Sequence, residues 1–209
     1  MAAFRPVSEG AMLAEHGVAL LFALLMLVAL LLLGASAART AILGERAARA
    51  ERDRHVALQA AEDALADAET EINGAASVPG RAALLATGNG QGFVSGCGLG
   101  AGNPGLGLCA HAGDGTPAWE TVDIGEDGAA SRSVPYGRFT GADMETGEGF
   151  LPFRRPRYII ERVPYHPPGE DASGTHYFYR VTAIGFGARE STEVVLQGSY
   201  RKTDTGGAP

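Results

Sequence analysis

Histidine and cysteine are the side chains here that most readily do chemistry, and their spacing argues against catalysis. The five histidines are isolated from one another, at His16, His55, His111, His166 and His176. None belongs to a His-Glu-x-x-His zinc motif, and the chain lacks a Gly-x-Ser-x-Gly turn, a paired Cys motif and a Walker loop. Because nothing joins a nucleophile to a base, we predict no catalytic residues and no enzymatic activity.

The two cysteines, Cys97 and Cys109, bound part of a glycine-rich stretch. A disulfide between them would close a short loop and contribute about 3 kcal/mol in the chain-entropy model. The alternative is a metal site that adds His111, but this spacing matches no zinc motif. We therefore predict a Cys97–Cys109 disulfide in an oxidising compartment, with no metal and no cofactor.

Two other segments match ligand-binding motifs only in part. The glycines of Gly100–Gly105 have the spacing of a dinucleotide-binding loop, but Pro104 and its neighbours supply neither the strand before it nor the helix after it. The segment Asp123–Gly128 begins like a calcium loop, yet it lacks an acid at the third position and has Val134 at the twelfth. Calcium bound in some other arrangement stays open.

Length and composition limit the classes of protein that this chain can be. It has 209 residues and a net charge of −7, and no basic cluster is present, so we exclude a nucleic-acid partner. The length allows one membrane segment and one modest domain. Most of the 30 glycines and 11 prolines follow residue 73, which predicts a loop-rich domain over residues 74–209.

An apolar stretch near the N-terminus predicts a membrane helix. Residues 18–38 carry no charge and would rise about 31 Å as a helix, the thickness of a bilayer's hydrocarbon core. A cleaved secretory signal is one alternative, since Ala35-Ser36-Ala37 fits a cleavage site, but the stretch is long and the leader lacks a basic region. A plain single-pass anchor is another, and it needs only the hydropathy.

Helical spacing continues beyond the membrane segment over residues 39–73. Apart from Arg54, the residues that recur on one face are apolar: Leu43, Ala47, Ala50, Leu58, Ala61, Leu65, Ala68 and Ile72. We expect the first part of this face to pack against other helices, and the part from Leu65 to dock on the chain's own domain. Basic residues outnumber acidic ones over residues 39–55, whereas only acidic ones occur over 56–72, so staggered neighbouring helices would attract each other.

The rest of the chain predicts a loop and then a sheet. The glycine-rich loop covers residues 88–115. Alternating patterns predict strands at Arg157–Val163, His176–Ile184 and Thr192–Tyr200, joined as an antiparallel meander over residues 157–200. Because one sheet face can accept the helix, the predicted fold is α+β, with a long N-terminal helix on a small antiparallel sheet.

The junction Gly17-Val18-Ala19-Leu20 resembles a prepilin cleavage site. The resemblance implies a leader over residues 1–17, a prepilin peptidase that cuts after Gly17, and N-methylation of Val18. Two positions depart from the pattern: Glu15-His16 replaces the usual basic residue, and Phe22 stands where major pilins carry glutamate. Since that glutamate meets the N-terminal amine of a neighbouring subunit, Phe22 implies a subunit of the tip or of initiation.

Further segments make the chain similar to the PilX family of type IV pilus minor pilins: Leu43–Arg46, Leu58–Glu62, Pro156–Glu161, Tyr179–Gly185 and Val194–Tyr200. The resemblance implies a pilin-like fold and a role in priming pilus assembly, sometimes with surface adhesion or twitching motility. The implied partners are other minor pilins, the major pilin, the prepilin peptidase and the inner membrane. The implied location is a single pass through that membrane with a periplasmic C-terminal domain, and later the extracellular pilus.

Two alternatives and one conflict stay open at this point. The chain would be an adhesin if its loop from Gly88 to Gly115 contacts a surface, or a minor pseudopilin of a type II secretion system, which shares the same helix. The arginines that begin at Arg39 would place the far side of the membrane in the cytoplasm by the positive-inside rule. The leader junction and the disulfide favour the periplasm.

Overall fold

The computed structural model describes residues 12–86, 90–166 and 176–202, with side chains from Gly17 onward. The chain divides into two compact units, Met1–Ala50 and Glu51–Pro209. Residues 1–11 of the predicted leader and the first two residues of the predicted glycine-rich loop lie outside the described residues.

The first unit is helical. Helix α1 runs over Met12–Thr70, and every side chain from Gly17 to Ala50 is exposed. Among the described helices one is long and apolar enough to cross a membrane, and its most apolar window has a mean hydropathy of 3.0. Ala and Leu dominate this stretch, so helix propensity and hydropathy agree. This matches the predicted membrane helix in length and composition.

The second unit holds the last part of α1 and the remaining elements. After Thr70 the helix widens into a π-helical turn, Glu71–Ala75, where Gly74 has φ of 91°. Only glycine adopts that conformation without strain, so the predicted Asn73-Gly74 end is where the helix stops. The other elements are α2 Pro79–Ala86, β1 Leu108–Ala110, α3 Ala118–Thr121, β2 Val134–Pro135, β3 Arg157–Tyr165, β4 His176–Phe186 and β5 Glu193–Tyr200.

The sheet has the order β1-β3-β4-β5, and β2 pairs with β3. Strands β3, β4 and β5 are antiparallel neighbours, which confirms the predicted meander. Strand β1 lies parallel to β3, with Cys109 opposite Glu161, so the sheet is mixed. The sequence does not predict β1, because glycines surround it and its three residues are too few to alternate.

Both faces of the sheet are covered around β3 and β4. The face toward α1 forms one core cluster, in which Ala64, Ala68 and Ile72 of the helical segment join Tyr158, Ile160, Val181 and Ala183. The opposite face forms a second cluster of Ile159, Ile184 and Phe186 with the two cysteines and residues 118–124. The fold is α+β, as predicted, with a helix on one side of the sheet and loops on the other.

Candidate assembly site

The N-terminal part of α1 presents a continuous apolar surface. Leu20, Phe22, Met26 and Leu30 each expose between 66% and 73% of their surface. Large apolar patches in contact with water are unfavourable by about 25 cal/mol for each Å², so this surface is suited to lipid or to another protein. The helix can therefore act as an anchor or as an assembly surface.

The C-terminal part of α1 and the π-helical turn after it are fixed to the sheet domain by three buried acids, of which Asp53 is the first. Its carboxylate accepts hydrogen bonds from the backbone N–H of Ala188 at 2.6 Å, from Arg189 Nε at 2.8 Å and from Thr192 Oγ1 at 2.5 Å. Burial by itself would raise the pKa of Asp53, but these hydrogen bonds outweigh it and hold the pKa below its ordinary value. Asp53 thus attaches α1 to the β4–β5 turn.

The second acid, Asp67, attaches α1 to the segment that follows β2. Its carboxylate accepts hydrogen bonds from the backbone N–H of Gly137 at 2.9 Å and from the Thr140 hydroxyl. It also accepts the Tyr158 hydroxyl at 3.2 Å, which connects it to β3. One carboxylate thereby holds two separate parts of the chain against the helix.

The third acid, Glu71, forms a completely buried ion pair. Arg81 Nε of α2 lies 2.7 Å from Glu71 Oε2, and neither side chain has any exposed surface. The Tyr158 hydroxyl also donates to Glu71. Burial raises the pKa of Glu71, and the charge of Arg81 opposes that rise. The net pKa stays above the ordinary glutamate value, so desolvation is the larger effect here.

Arg81 extends this ion pair into the glycine-rich segment. Its Nη1 donates to the carbonyl oxygens of Pro104 at 3.0 Å and Leu106 at 2.8 Å. The guanidinium also lies over the Phe139 ring, 4.4 Å from the centroid. Arg81 therefore holds α1, α2 and the segment before β1 together, and these contacts order backbone that its glycines would otherwise leave flexible.

Close backbone approach accounts for the small residues of this part of α1. Ala57, Ala60, Ala61 and Ala64 are all at least 98% buried. A Cβ added at Gly185 of β4 would overlap the carbonyl oxygen of Ala57 and the backbone nitrogen of Ala61. The helix and β4 thus meet backbone to backbone, which only glycine opposite alanine allows.

The opposite face of the sheet carries the disulfide and a second polar cluster. Cys97 and Cys109 are bonded and buried, which confirms the predicted disulfide. Glu161, opposite Cys109 in the sheet register, is 1% exposed. It accepts from Arg180 at 2.8 Å, and its Oε1 lies 2.8 Å from His111 Nδ1. His111 therefore pairs with a carboxylate near the disulfide.

A surface cleft of about 510 Å³ lies beside this cluster. Ser95, Asp114, Thr116 and Arg132 supply its polar wall, and several alanines supply the rest. The Nη1 of Arg132 donates to the carbonyl oxygens of Gly96 and Cys97, each at 2.9 Å, which fixes its guanidinium at the cleft. The cleft can hold a small polar group.

The residues proposed for processing and for the assembly helix fall in different environments. Val18, Phe22 and Leu43 lie in the first unit, and all are exposed. Gly17 lies inside α1 with open space around it. Leu58 and Leu65 are partly buried in the second unit, and Ile72 is buried with 1% exposure. Of these residues, Leu65 and Ile72 meet in the core cluster that joins helix and sheet.

Sequence reasoning missed the three buried acids, because it assigned the charged residues of α1 to solvent. The buried residues of the helix include Ala61, Ala68 and Ile72 of the predicted face, but burial also extends along a neighbouring line through 53, 57, 60, 64, 67 and 71, and three of the six members of that line are acidic. Their steps of four and three residues were visible in the sequence. The partners were not, because the bonded residues lie between 10 and 139 positions away.

Two family models match the chain. One is described as PilX N-terminal and matches residues 16–66, and the other as the C-terminal part of type IV pilus assembly protein PilX and matches residues 105–202. Together they cover well over half of the chain. No curated protein and no solved structure matches significantly.

Proposed function

Since the chain belongs to the PilX family of type IV pilus assembly proteins, we propose that, as a minor pilin, it helps to initiate pilus assembly at the filament tip. In this proposal α1 first holds the chain in the inner membrane, with the second unit in the periplasm. It then packs against the helices of other minor pilins and of the major pilin. The family is a structural component of pilus assembly, so no catalytic step is involved.

The observation that carries the proposal is the exposed apolar surface of α1 from Val18 to Leu33. Nothing within the described residues covers it, so lipid or other helices must do so. The buried acids of the second unit support the same role. They fasten the helix to the sheet domain, so that a force applied to one is transmitted to the other.

The proposal of a tip position rests on Phe22. The resemblance implies that major pilins carry a glutamate at this position, and that this glutamate meets the N-terminal amine of a neighbouring subunit. Phe22 exposes 66% of its surface and has no charge to offer. A subunit without this contact is less suited to repeated addition, so it would begin a filament more readily than extend one.

The mature N-terminus tests the processing step. We expect mass spectrometry of the membrane and pilus fractions to find a chain that begins at N-methylated Val18. A Gly17→Val variant should keep its leader, whereas the matched Gly34→Val variant in the same helix should be processed normally. A wild-type chain that begins at Met1 or at Ala38 would contradict the proposal.

Filament imaging tests the tip position. In the native host, deletion of the gene should reduce pilus number, and expression of the full chain should restore it. A tagged, complementing chain should label filament ends. Label along the whole filament at the density of the major pilin would refute the tip position, and unchanged secretion in the deletion strain would argue against a type II pseudopilin.

A second candidate function is an adhesin, and the cleft beside the disulfide favours it. Ser95, Ala112 and Asp114 of the cleft belong to the loop region proposed for contact, and the polar wall offers hydrogen-bonding groups. Ala112→Trp would fill it, and Ala130→Trp would place the same bulk at an exposed position that does not line it. An adhesin should lose attachment in the first variant alone while its pili still form.

A further inference from the structure

The cleft beside the disulfide contains an arginine with one edge of its guanidinium left free. Two carbonyl groups accept hydrogen bonds from Nη1 of Arg132. Among the described residues, none accepts a hydrogen bond from its Nε or Nη2, and no carboxylate forms an ion pair with it. Nε and Nη2 are adjacent nitrogen atoms whose parallel N–H groups match the two oxygen atoms of a carboxylate. Arg132 therefore offers a fixed site for one anionic group.

Asp114 gives the same cleft a negative charge. Its Oδ1 accepts the backbone N–H of Thr116 at 3.0 Å, and this hydrogen bond is the main reason that the pKa of Asp114 lies below its ordinary value. No basic side chain in the described part of the chain, Arg132 included, forms an ion pair with Asp114. The ionised Asp114 accepts hydrogen bonds from a ligand and repels a second anionic group on it.

The rest of the cleft wall has the chemistry of a sugar's surface. Its polar part includes three hydroxyl side chains, those of Ser95, Thr116 and Thr121. Its apolar part consists of small side chains, those of Ala110, Ala112, Ala118 and Val122. Hydroxyl groups donate and accept hydrogen bonds, as those of a sugar do, and the alanines leave space for its C–H groups. The volume of about 510 Å³ falls within the usual range for small-molecule sites, roughly 300–1,000 Å³.

The walls of the cleft are fixed before any ligand arrives. The backbone N–H of Ala110 donates to the carbonyl oxygen of Val94 at 2.9 Å, and the backbone N–H of Ala118 donates to Glu161 at 3.3 Å. The Cys97–Cys109 disulfide holds the two adjoining segments together. A site that is already ordered loses little conformational entropy when it binds, so weak individual contacts can add up to useful affinity.

We propose that this cleft binds a sugar that carries one carboxylate, as a uronic acid does. The carboxylate accepts from Nε and Nη2 of Arg132, while the sugar's hydroxyl groups donate to Asp114 and meet the hydroxyl side chains of the wall. An amino acid would use the two charges alone, and Asp114 would repel a phosphate ion. The inference deepens the adhesin candidate and rests on it, because it names the class of surface group that the chain would contact.

Titration of the purified full chain in detergent, followed by ligand-observed NMR, tests the ligand class. The methyl glycoside of glucuronic acid should bind saturably, and the methyl glycoside of glucose, which lacks the carboxylate, should bind about tenfold more weakly or worse. Equal binding of the two glycosides, or no saturable binding of the glucuronide, would overturn the proposal. Tighter binding of alanine or of inorganic phosphate than of the glucuronide would also overturn it.

Variants of the cleft assign the binding to this site. Arg132→Gln should weaken binding of the glucuronide about tenfold or more and leave the weak binding of the glucoside nearly unchanged. Arg155→Gln, which removes an arginine outside the cleft, should bind the glucuronide as wild type does. If Arg132→Gln fails to fold, Ala112→Trp should abolish binding by filling the cleft, and Ala130→Trp should not. Binding that survives in Ala112→Trp would overturn the site.

The outcomes for the ligand and for the adhesin function are distinct. If the purified chain does not bind the glucuronide but the Ala112→Trp strain loses attachment, the adhesin function stands and the proposed ligand is wrong. If the purified chain binds the glucuronide but the Ala112→Trp strain attaches normally, the adhesin function fails and the sugar site stands.

Discussion

Replacing Arg81 by methionine should destabilise the second unit strongly at neutral pH. Arg81 and Glu71 are both without exposed surface, and their charged groups lie 2.7 Å apart. Methionine keeps much of the side-chain volume but removes the cation, so Glu71 becomes a buried charge with only the Tyr158 hydroxyl to compensate it. Breaking a buried ion pair from one side costs about 3–5 kcal/mol. The carbonyl groups of Pro104 and Leu106 also lose their donors.

The penalty should depend on pH, with a sign that the structure determines. Burial already raises the pKa of Glu71, and Arg81 opposes that rise. Without Arg81 the pKa rises further, so the variant gains stability from protonating Glu71 as the pH falls. The difference from wild type should therefore shrink between about pH 7.5 and about pH 5. A simple loss of packing would give a difference that does not change with pH.

Urea unfolding of the full chain in detergent measures this penalty. The single tryptophan, Trp119, lies in the second unit and reports its unfolding by fluorescence. The control is Arg155→Met, which breaks the exposed pair with Asp143 and should cost less than about 1 kcal/mol. The double variant Glu71→Leu/Arg81→Met should be more stable than Arg81→Met alone, because it buries no unpaired charge. A single variant within about 0.5 kcal/mol of wild type would refute this account of the ion pair.

Three further predictions use the same unfolding measurement. Gly185→Ala should cost about 1–3 kcal/mol because its methyl group meets the backbone of α1, whereas Gly113→Ala, with open space around it, should cost far less. Asp53→Asn should be less stable than wild type at neutral pH and should lose less stability on acidification. Because the pKa of Asp53 is lower in the folded chain than in the unfolded chain, the ionised carboxylate stabilises the fold above about pH 4, and that stabilisation disappears as the pH falls through the folded-state pKa. Parallel acid unfolding curves of wild type and Asp53→Asn would argue against this. Replacing both cysteines by serine should lower the free energy of unfolding by about 3 kcal/mol, because the disulfide restricts the conformations of the unfolded chain. An unchanged unfolding midpoint would contradict this.

The strands and the helix were predictable because their signals are local. Strands β3, β4 and β5 follow from alternation within segments of eight to eleven residues, and they begin and end within two residues of their predicted limits. The helix follows from a long run of Ala, Leu, Glu and Arg that Gly74 ends. The disulfide was predictable because the chain has only two cysteines.

The glycine-rich segment was harder to interpret, because its order comes from elsewhere in the chain. Its sequence predicts a loop, yet Leu106 and Leu108 belong to the main core and β1 pairs with β3. The ordering contacts are the disulfide, Arg81 and the edge of β3. Arg81 and β3 are distant in sequence from the glycines that they order, and no local pattern reports their contacts.

The amino-acid sequence by itself determined the membrane-length helix, the antiparallel meander and the α+β class, because each depends on periodicity within one segment. Only the tertiary structure decided that the buried surface of the helix includes three acids beside the predicted apolar face. Hydropathy assigns Asp53, Asp67 and Glu71 to solvent, since an unpaired buried carboxylate is costly. Folding brings Arg189, Thr140 and Arg81 within hydrogen-bonding distance of them, which outweighs that cost at Asp53 and offsets part of it at Glu71. Whether a charge can be buried depends on partners that the fold supplies.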